Sequence, residues 1–237
     1  VVVSLAVLRK QALPIRFSLK QCRFYPRELR MILHVGIPIA VQETMVQISF
    51  LVINSIVNNM GLMPSAGYGV AQKIVSFIML IPSSVMQSLS AFVAQNIGAG
   101  KKDRMREGFR CGLVLETIYG IAVFIVCFVF ARHLMMLFVK DEEVISHGVT
   151  YLHLISVMYI LPAFTNGIQG FFRGIGDLKI TLISSFINMG VRVLAAAPLV
   201  LIMHLGIEAL PFSYLAGWVG MLVAELPLLI KTYRKQD

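Results

Sequence analysis

Long apolar stretches alternate with short polar connections along this chain. Six stretches stand out, running roughly Ile37–Asn59, Ala66–Ile97, Phe109–Phe130, Val144–Phe172, Ile180–Met203 and Leu210–Ile230. A helix needs about 20 mostly apolar residues to cross the hydrocarbon core of a bilayer. Inside lipid every backbone amide must bond to the chain itself. The pattern therefore predicts an all-α integral membrane protein, a bundle of six transmembrane helices. The second and fourth stretches exceed the bilayer's requirement and contain Pro82 and Pro162, so they are expected to tilt, kink or run past the membrane.

Composition strengthens this picture. Of 237 residues, 57% are apolar and only 14% charged, where a soluble domain carries about 25%; mean hydropathy is +0.80. An ordinary cytosolic enzyme, a disulfide scaffold and a disordered tail are excluded. Cys22, Cys111 and Cys127 are odd in number and lack CxxC spacing, so they read as small apolar residues or free thiols. The five histidines are scattered and form no metal-ligand cluster.

The net charge of +9 sets topology. Nucleic-acid binders cluster their basic residues on one face, whereas here they flank the apolar runs. Seven Lys/Arg lie in Arg9–Arg30, five in Gly98–Arg110, two in Arg173–Lys179 and three after Ile230; the other connections hold only Arg132 and Lys140. Cytoplasmic loops carry such an excess. The N-terminal basic segment and the C-terminus are thus expected on the cytoplasmic side of a multi-pass cell-membrane protein, as an even number of spans requires. Val1–Leu8 is too short to span, and has neither a basic n-region nor a cleavage site. It reads as the tail of a preceding transmembrane helix, which suggests a fragment of a longer protein. The expected organisation is that tail at 1–8, a basic linker at 9–35, the six-helix membrane unit at 36–231 and a cytoplasmic tail at 232–237.

Several spans carry polar residues in register. At about 100° per residue, Glu43, Gln47, Asn54 and Asn58 share a face of the first. Lys73, Ser76, Ser84, Gln87, Ser88 and Gln95 share one on the second. Tyr159, Asn166, Gln169 and Arg173 align on the fourth, and Thr181, Ser184, Ser185, Asn188 and Arg192 on the fifth. A charge at mid-bilayer costs about 2.5–3.5 kcal/mol even on lenient scales, so Glu43, Lys73 and Arg192 are expected to face protein or water. One reading is hydrogen-bonded glue between helices. The other is a water-filled pathway lined by Gln47, Asn54, Lys73, Gln87, Asn166, Gln169, Asn188 and Arg192. In it Glu43 is the acid that exchanges a proton or holds Na⁺; its alternative is a carboxylate merely paired to Lys73 or Arg192. Glu116 is expected to snorkel to the inner interface, and Glu225 to lie close to the inner end of the last span.

Two short strings look chemical and fail on inspection. Gly98-Ala99-Gly100-Lys101 lacks the Gly at 95 and the Ser or Thr at 102 of a phosphate-binding loop. Gly174-Ile175-Gly176-Asp177 matches a GxGD string, but that chemistry needs two intramembrane carboxylates sharing a proton. No Asp lies within a span, so Asp177 is expected to cap a helix. No hydrolase motif occurs, and no enzymatic activity is expected.

Ser90-Ala91-Phe92-Val93-Ala94-Gln95-Asn96-Ile97-Gly98-Ala99-Gly100-Lys101 closes the second span, and Gln169-Gly170-Phe171-Phe172-Arg173-Gly174-Ile175-Gly176-Asp177 closes the fourth. With Gly36-Ile37-Pro38 opening the first, these stretches resemble the C-terminal lobe of the multidrug and toxic compound extrusion (MATE) family. The resemblance implies one six-helix lobe of a twelve-helix transporter, with Arg9–Arg30 as the linker between lobes. It implies alternating-access export of amphipathic, often cationic compounds in exchange for Na⁺ or H⁺, without a cofactor. The partners implied are a small-molecule substrate, the bilayer, and a missing N-terminal lobe or a second copy. Some sodium-coupled members carry an Asp in the fourth helix of this lobe, where Asn166 and Gln169 stand here. Alternatives are a lipid-linked precursor flippase of the same superfamily and a non-transport bundle.

Overall fold

The computed structural model describes residues 25–203 and 205–235; the expected tail at 1–8 and most of the expected linker lie outside them. The chain divides into two units, 1–36 and 37–237. The described residues of the first, from Tyr25 on, are almost wholly helical and mostly exposed. Among the described residues there is no strand, and the helices are α1 Pro26–Asn58, α2 Leu62–Ile78, α3 Leu80–Gly98, α4 Lys102–Met136, α5 Glu142–Val157, α6 Ile160–Gly174, α7 Leu178–Leu201 and α8 Ala209–Lys235.

Among the described residues five spans are long and apolar enough to cross a membrane, with α2 and α3 together counting as one, and the bent pair α5–α6 makes a sixth when taken as one span. The six apolar stretches are therefore all present. Their ends differ in an instructive way. α1 begins eleven residues before the expected Ile37, and α4 seven before Phe109. Charge does not stop a helix where it leaves the hydrocarbon, so the Gly98–Arg110 loop shrinks to Ala99–Lys101.

The two prolines act as expected. Pro82 has no N–H to give the carbonyl four residues back, and its ring crowds that carbonyl. The helix breaks at Met79, and the orphaned Ile78 carbonyl accepts instead from the Tyr119 hydroxyl of α4 at 2.7 Å. Pro162 sits four residues after Met158, and α5 and α6 meet there at 54°.

The two glycine strings are one device used twice. After α3, the Gly100 amide donates to Ile97 and the Lys101 amide to Asn96; after α6, the Gly176 amide donates to Arg173 and the Asp177 amide to Phe172. This is the Schellman cap, which needs a left-handed residue. Gly100 and Gly176 supply it at φ 69° and 82°. Asp177 does stand at the start of α7, but its side chain makes no capping hydrogen bond.

α7 packs most extensively on α8, α3 on α6, and α2 on α5. Backbones come close where a side chain is missing. A Cβ on Gly170 would lie 2.7 Å from the Met86 carbonyl, and one on Gly217 would lie 2.8 Å from the Asn188 carbonyl. Small residues at membrane helix crossings permit this approach. One buried apolar cluster joins Ile53, Tyr68, Met135, Tyr151 and Leu210. A second joins Leu89, Val93, Met105, Phe109, Phe171 and Phe172.

Candidate functional site

α1, α2, α3, α5, α6, α7 and α8 together line a cavity of about 280 Å³. Its polar wall is built from three helices. Gln42 of α1 is buried and donates through Nε2 to the Gln169 amide oxygen at 3.1 Å. The same nitrogen donates to Ser185 of α7. Gln169 of α6 donates to Ser185 Oγ at 3.0 Å. Arg173, one turn beyond Gln169, donates to Gln42 Oε1 at 3.0 Å. A closed network of neutral amides and hydroxyls thus carries one cation at its edge. Glu43 sits beside that cation, its Oε1 3.7 Å from Arg173 Nη2, with a side chain 58% exposed.

Arg192 of α7 is the second cation on the wall. It is buried, and its Nε donates to Ser49 Oγ of α1 at 3.2 Å, as does Nη2. Its guanidinium carbon lies 4.8 Å from the ring centroids of both Phe50 and Tyr214. Tyr214 in turn contacts Trp218 and shares a hydroxyl–hydroxyl contact of 3.1 Å with Tyr68.

The residues anticipated for the pathway fall into two sets. Glu43, Asn166, Gln169, Asn188 and Arg192 line the cavity. Asn188 is held there by donating to Met221 Sδ at 3.2 Å. Gln47, Asn54, Lys73 and Gln87 do not line it; all four are exposed on the described structure. On α1 the inward face is Gln42, Ser49, Ile53 and Ile56, one position round from the anticipated stripe. On α2 and α3 it is Gln72, Val75, Met79, Ser83 and Met86. The stripe on those two helices faces outward, where Ser76 and Ser84 turn their hydroxyls back to the carbonyls of Gln72 and Leu80.

Glu43 pairs with neither Lys73 nor Arg192; its partner is Arg173. One other acid departs from expectation. Glu116 does not snorkel: it lies fourteen residues into α4, about 21 Å along the axis at 1.5 Å per residue, and is only 1% exposed. Glu225 is fully buried and accepts from Ser184 Oγ at 2.7 Å. Gln42, Ser49 and Tyr214 were not singled out from the sequence. Gln42 stands just outside the anticipated stripe, and Tyr214 lies in a span that is mostly apolar.

The MatE family model matches residues 38–197, across most of the helices that build this cavity. The chain belongs to the MatE family. It is 30% identical over 197 residues to the probable multidrug resistance protein YoeA of Bacillus subtilis (strain 168), covering 81% of this chain and 42% of that protein. It is 22% identical over 191 residues to the probable multidrug resistance protein NorM of Thermotoga maritima, covering 81% of this chain and 40% of NorM. Similarity extends to the FAD transporter of Shewanella oneidensis, 25% identical over 199 residues, covering 82% of this chain and 40% of that one.

Among solved structures, a MATE in its bent conformation superposes with a TM-score of 0.79 at 18% identity, over 84% of this chain and 44% of the other. A MOP superfamily transporter from Pyrococcus furiosus superposes at 0.77, also at 18% identity, over 87% of this chain and 45% of the other. At such identity these two matches speak for the fold. The chain therefore spans rather less than half the length of these MatE relatives, and corresponds to one lobe of them. It is a membrane protein of a transporter family.

Proposed function

We propose that this chain is the C-terminal lobe of a secondary transporter that exports amphipathic compounds, cationic drugs among them, by alternating access in exchange for Na⁺ or H⁺. The relatives it matches are more than twice its matched length, so the working unit requires an N-terminal lobe or a second copy. The basic linker and the C-terminus lie on the cytoplasmic side of the cell membrane, as the distribution of Lys and Arg requires.

The observation that carries this reading is the contact between Glu43 and Arg173 on the cavity wall. Glu43 is open enough to receive a proton or Na⁺, and the arriving cation competes with Arg173 for the carboxylate. Displaced, Arg173 retains its hydrogen bond to Gln42, and through Gln42 the change reaches Gln169 and Ser185 on two other helices. A coupling ion thereby alters how α1 is held against α6 and α7. Such a change of helix docking can bias one facing state over another.

The test is Glu43→Gln in the intact transporter, reconstituted in liposomes with an imposed Na⁺ or pH gradient. Loss of gradient-driven transport with substrate binding retained supports the coupling role. Transport of unchanged rate and unchanged ion dependence removes Glu43 from the mechanism.

A further inference from the structure

Arg192 is held unlike a structural arginine. A guanidinium has five N–H donors and is always charged. Here Nε and Nη2 both point to a single acceptor, the Ser49 hydroxyl. Among the described residues no carboxylate is ion-paired with it, and no backbone carbonyl accepts from it. The charge is stabilised by two aromatic faces, Phe50 and Tyr214, each 4.8 Å from the guanidinium carbon. Those contacts fix the plane of the fork, and Arg192 lines the cavity with its remaining N–H groups making no hydrogen bond among the described residues. Trp218 continues the aromatic surface beside Tyr214, with ring centroids 5.7 Å apart.

The other charges on the wall do not neutralise it. Among the described residues Glu43 is the one carboxylate lining the cavity, and it is engaged by Arg173. Arg192 therefore stands on the wall with no ion-pair partner among the described residues, and its charge is concentrated on a preorganised planar fork. A planar fork with free parallel N–H groups matches a carboxylate in bidentate fashion. The flanking Tyr and Trp rings offer a flat aromatic skeleton a surface to lie against.

We propose that Arg192 is a ligand-binding residue that takes the carboxylate of an aromatic anion or zwitterion, with Tyr214 and Trp218 receiving its ring system. This deepens the transport reading above by naming a substrate class, and it rests on the cavity being a substrate site. It also separates two roles on the wall: Glu43 serves the coupling cation, and Arg192 serves the substrate's negative group.

The experiment compares two flat xanthene dyes of opposite charge, fluorescein and rhodamine 6G, on the intact transporter in detergent. Binding is read by fluorescence polarisation for the native protein, Arg192→Lys and Arg192→Met. A charge-assisted bidentate contact corresponds to about a ten- to hundred-fold change in affinity. The native protein is expected to bind fluorescein, with Arg192→Met weakening it by that factor and Arg192→Lys by less. Rhodamine 6G binding is expected to hold or tighten in Arg192→Met. A merely structural arginine would lower both dyes together.

Native protein that binds rhodamine 6G but not fluorescein overturns the proposal, and so does fluorescein affinity that is equal in all three proteins. The native comparison decides the matter even where Arg192→Met does not fold. Transport is measured separately. Fluorescein bound through Arg192 but never moved across the membrane would leave this assignment standing and sink the transport reading. Rhodamine 6G exported by a protein blind to fluorescein would do the reverse.

Discussion

Gln42 and Gln169 lie 127 positions apart in the chain and share a hydrogen bond of 3.1 Å inside the bundle. Gln42 is one of only two polar residues among those α1 buries, the other being Ser49 on Arg192. The first helix is thus oriented against α6 and α7 by specific polar contacts, with apolar packing at Ile53, Ile56 and Val57 further along.

Replacing Gln169 by Leu leaves the Gln42 amide and Ser185 short of partners in a buried site. An unsatisfied buried polar group costs about 1–3 kcal/mol, so a loss of stability in that range is expected in chemical or thermal unfolding of the detergent-solubilised protein. The double variant Gln42→Leu/Gln169→Leu is expected to lose less than the sum of the single variants, because the two share one interaction. Additive losses would show that the network does not act as a unit.

Gly170 and Gly190 make a matched pair. A Cβ at Gly170 meets the Met86 carbonyl at 2.7 Å, whereas nothing lies within 4 Å of a Cβ at Gly190. Gly170→Ala must push α3 and α6 apart, and overpacking of this kind costs about 1–3 kcal/mol. Gly190→Ala is expected to be neutral or stabilising by up to about 1 kcal/mol, since Ala favours a helix interior. Unfolding midpoints of the two variants measure the difference directly.

Lys73 tests what covers the outward polar face of α2. It is exposed on a mostly apolar helix, as is Ser76, and Gln87 is exposed on α3. A charge at that depth is too costly to leave against lipid. With the native cysteines replaced, a cysteine at position 73 is expected to react with a water-soluble, charged maleimide in intact membranes. Reaction with only a membrane-permeant maleimide would put that face against lipid or in a dry helix contact.

The turn between α4 and α5 carries two polar devices of unequal weight. Asp141 Oδ1 accepts from the amides of Glu143 at 3.0 Å and Val144 at 3.1 Å, capping α5. Asp141→Ala is expected to cost about 1 kcal/mol. Arg132 and Glu142 form an ion pair at 2.8 Å with side chains 57% and 68% exposed, and solvated pairs contribute little. Arg132→Ala is expected to change stability by less than about 0.5 kcal/mol. An Arg132→Ala loss equal to that of Asp141→Ala would show that the ion pair has been undervalued.

Much of the architecture was legible because its causes are local. An apolar run of bilayer length reads as a span wherever it occurs. Pro82 and Pro162 each break a helix through a missing N–H, and Gly100 and Gly176 each allow the left-handed turn that ends one. The polar stripes on α6 and α7 were legible too, and they face inward. Those on α1 and on α2 and α3 were equally regular, yet Gln47, Asn54, Lys73 and Gln87 turn away from this cavity. Glu116 looked placed for the inner interface and is buried instead.

What the sequence alone determined is the set of spans, their breaks and turns, and which side chains share a helix face. Helical periodicity and backbone chemistry suffice for that. Only the tertiary structure decided which way each face points, that Glu43 meets Arg173, and that Arg192 lies between Phe50 and Tyr214. In a soluble protein the apolar side of a helix names its own direction, because water stands on the other side. In a bilayer the surrounding lipid is as apolar as the packed interior, so a regular stripe carries no arrow, and only the fitting together of all the helices supplies one.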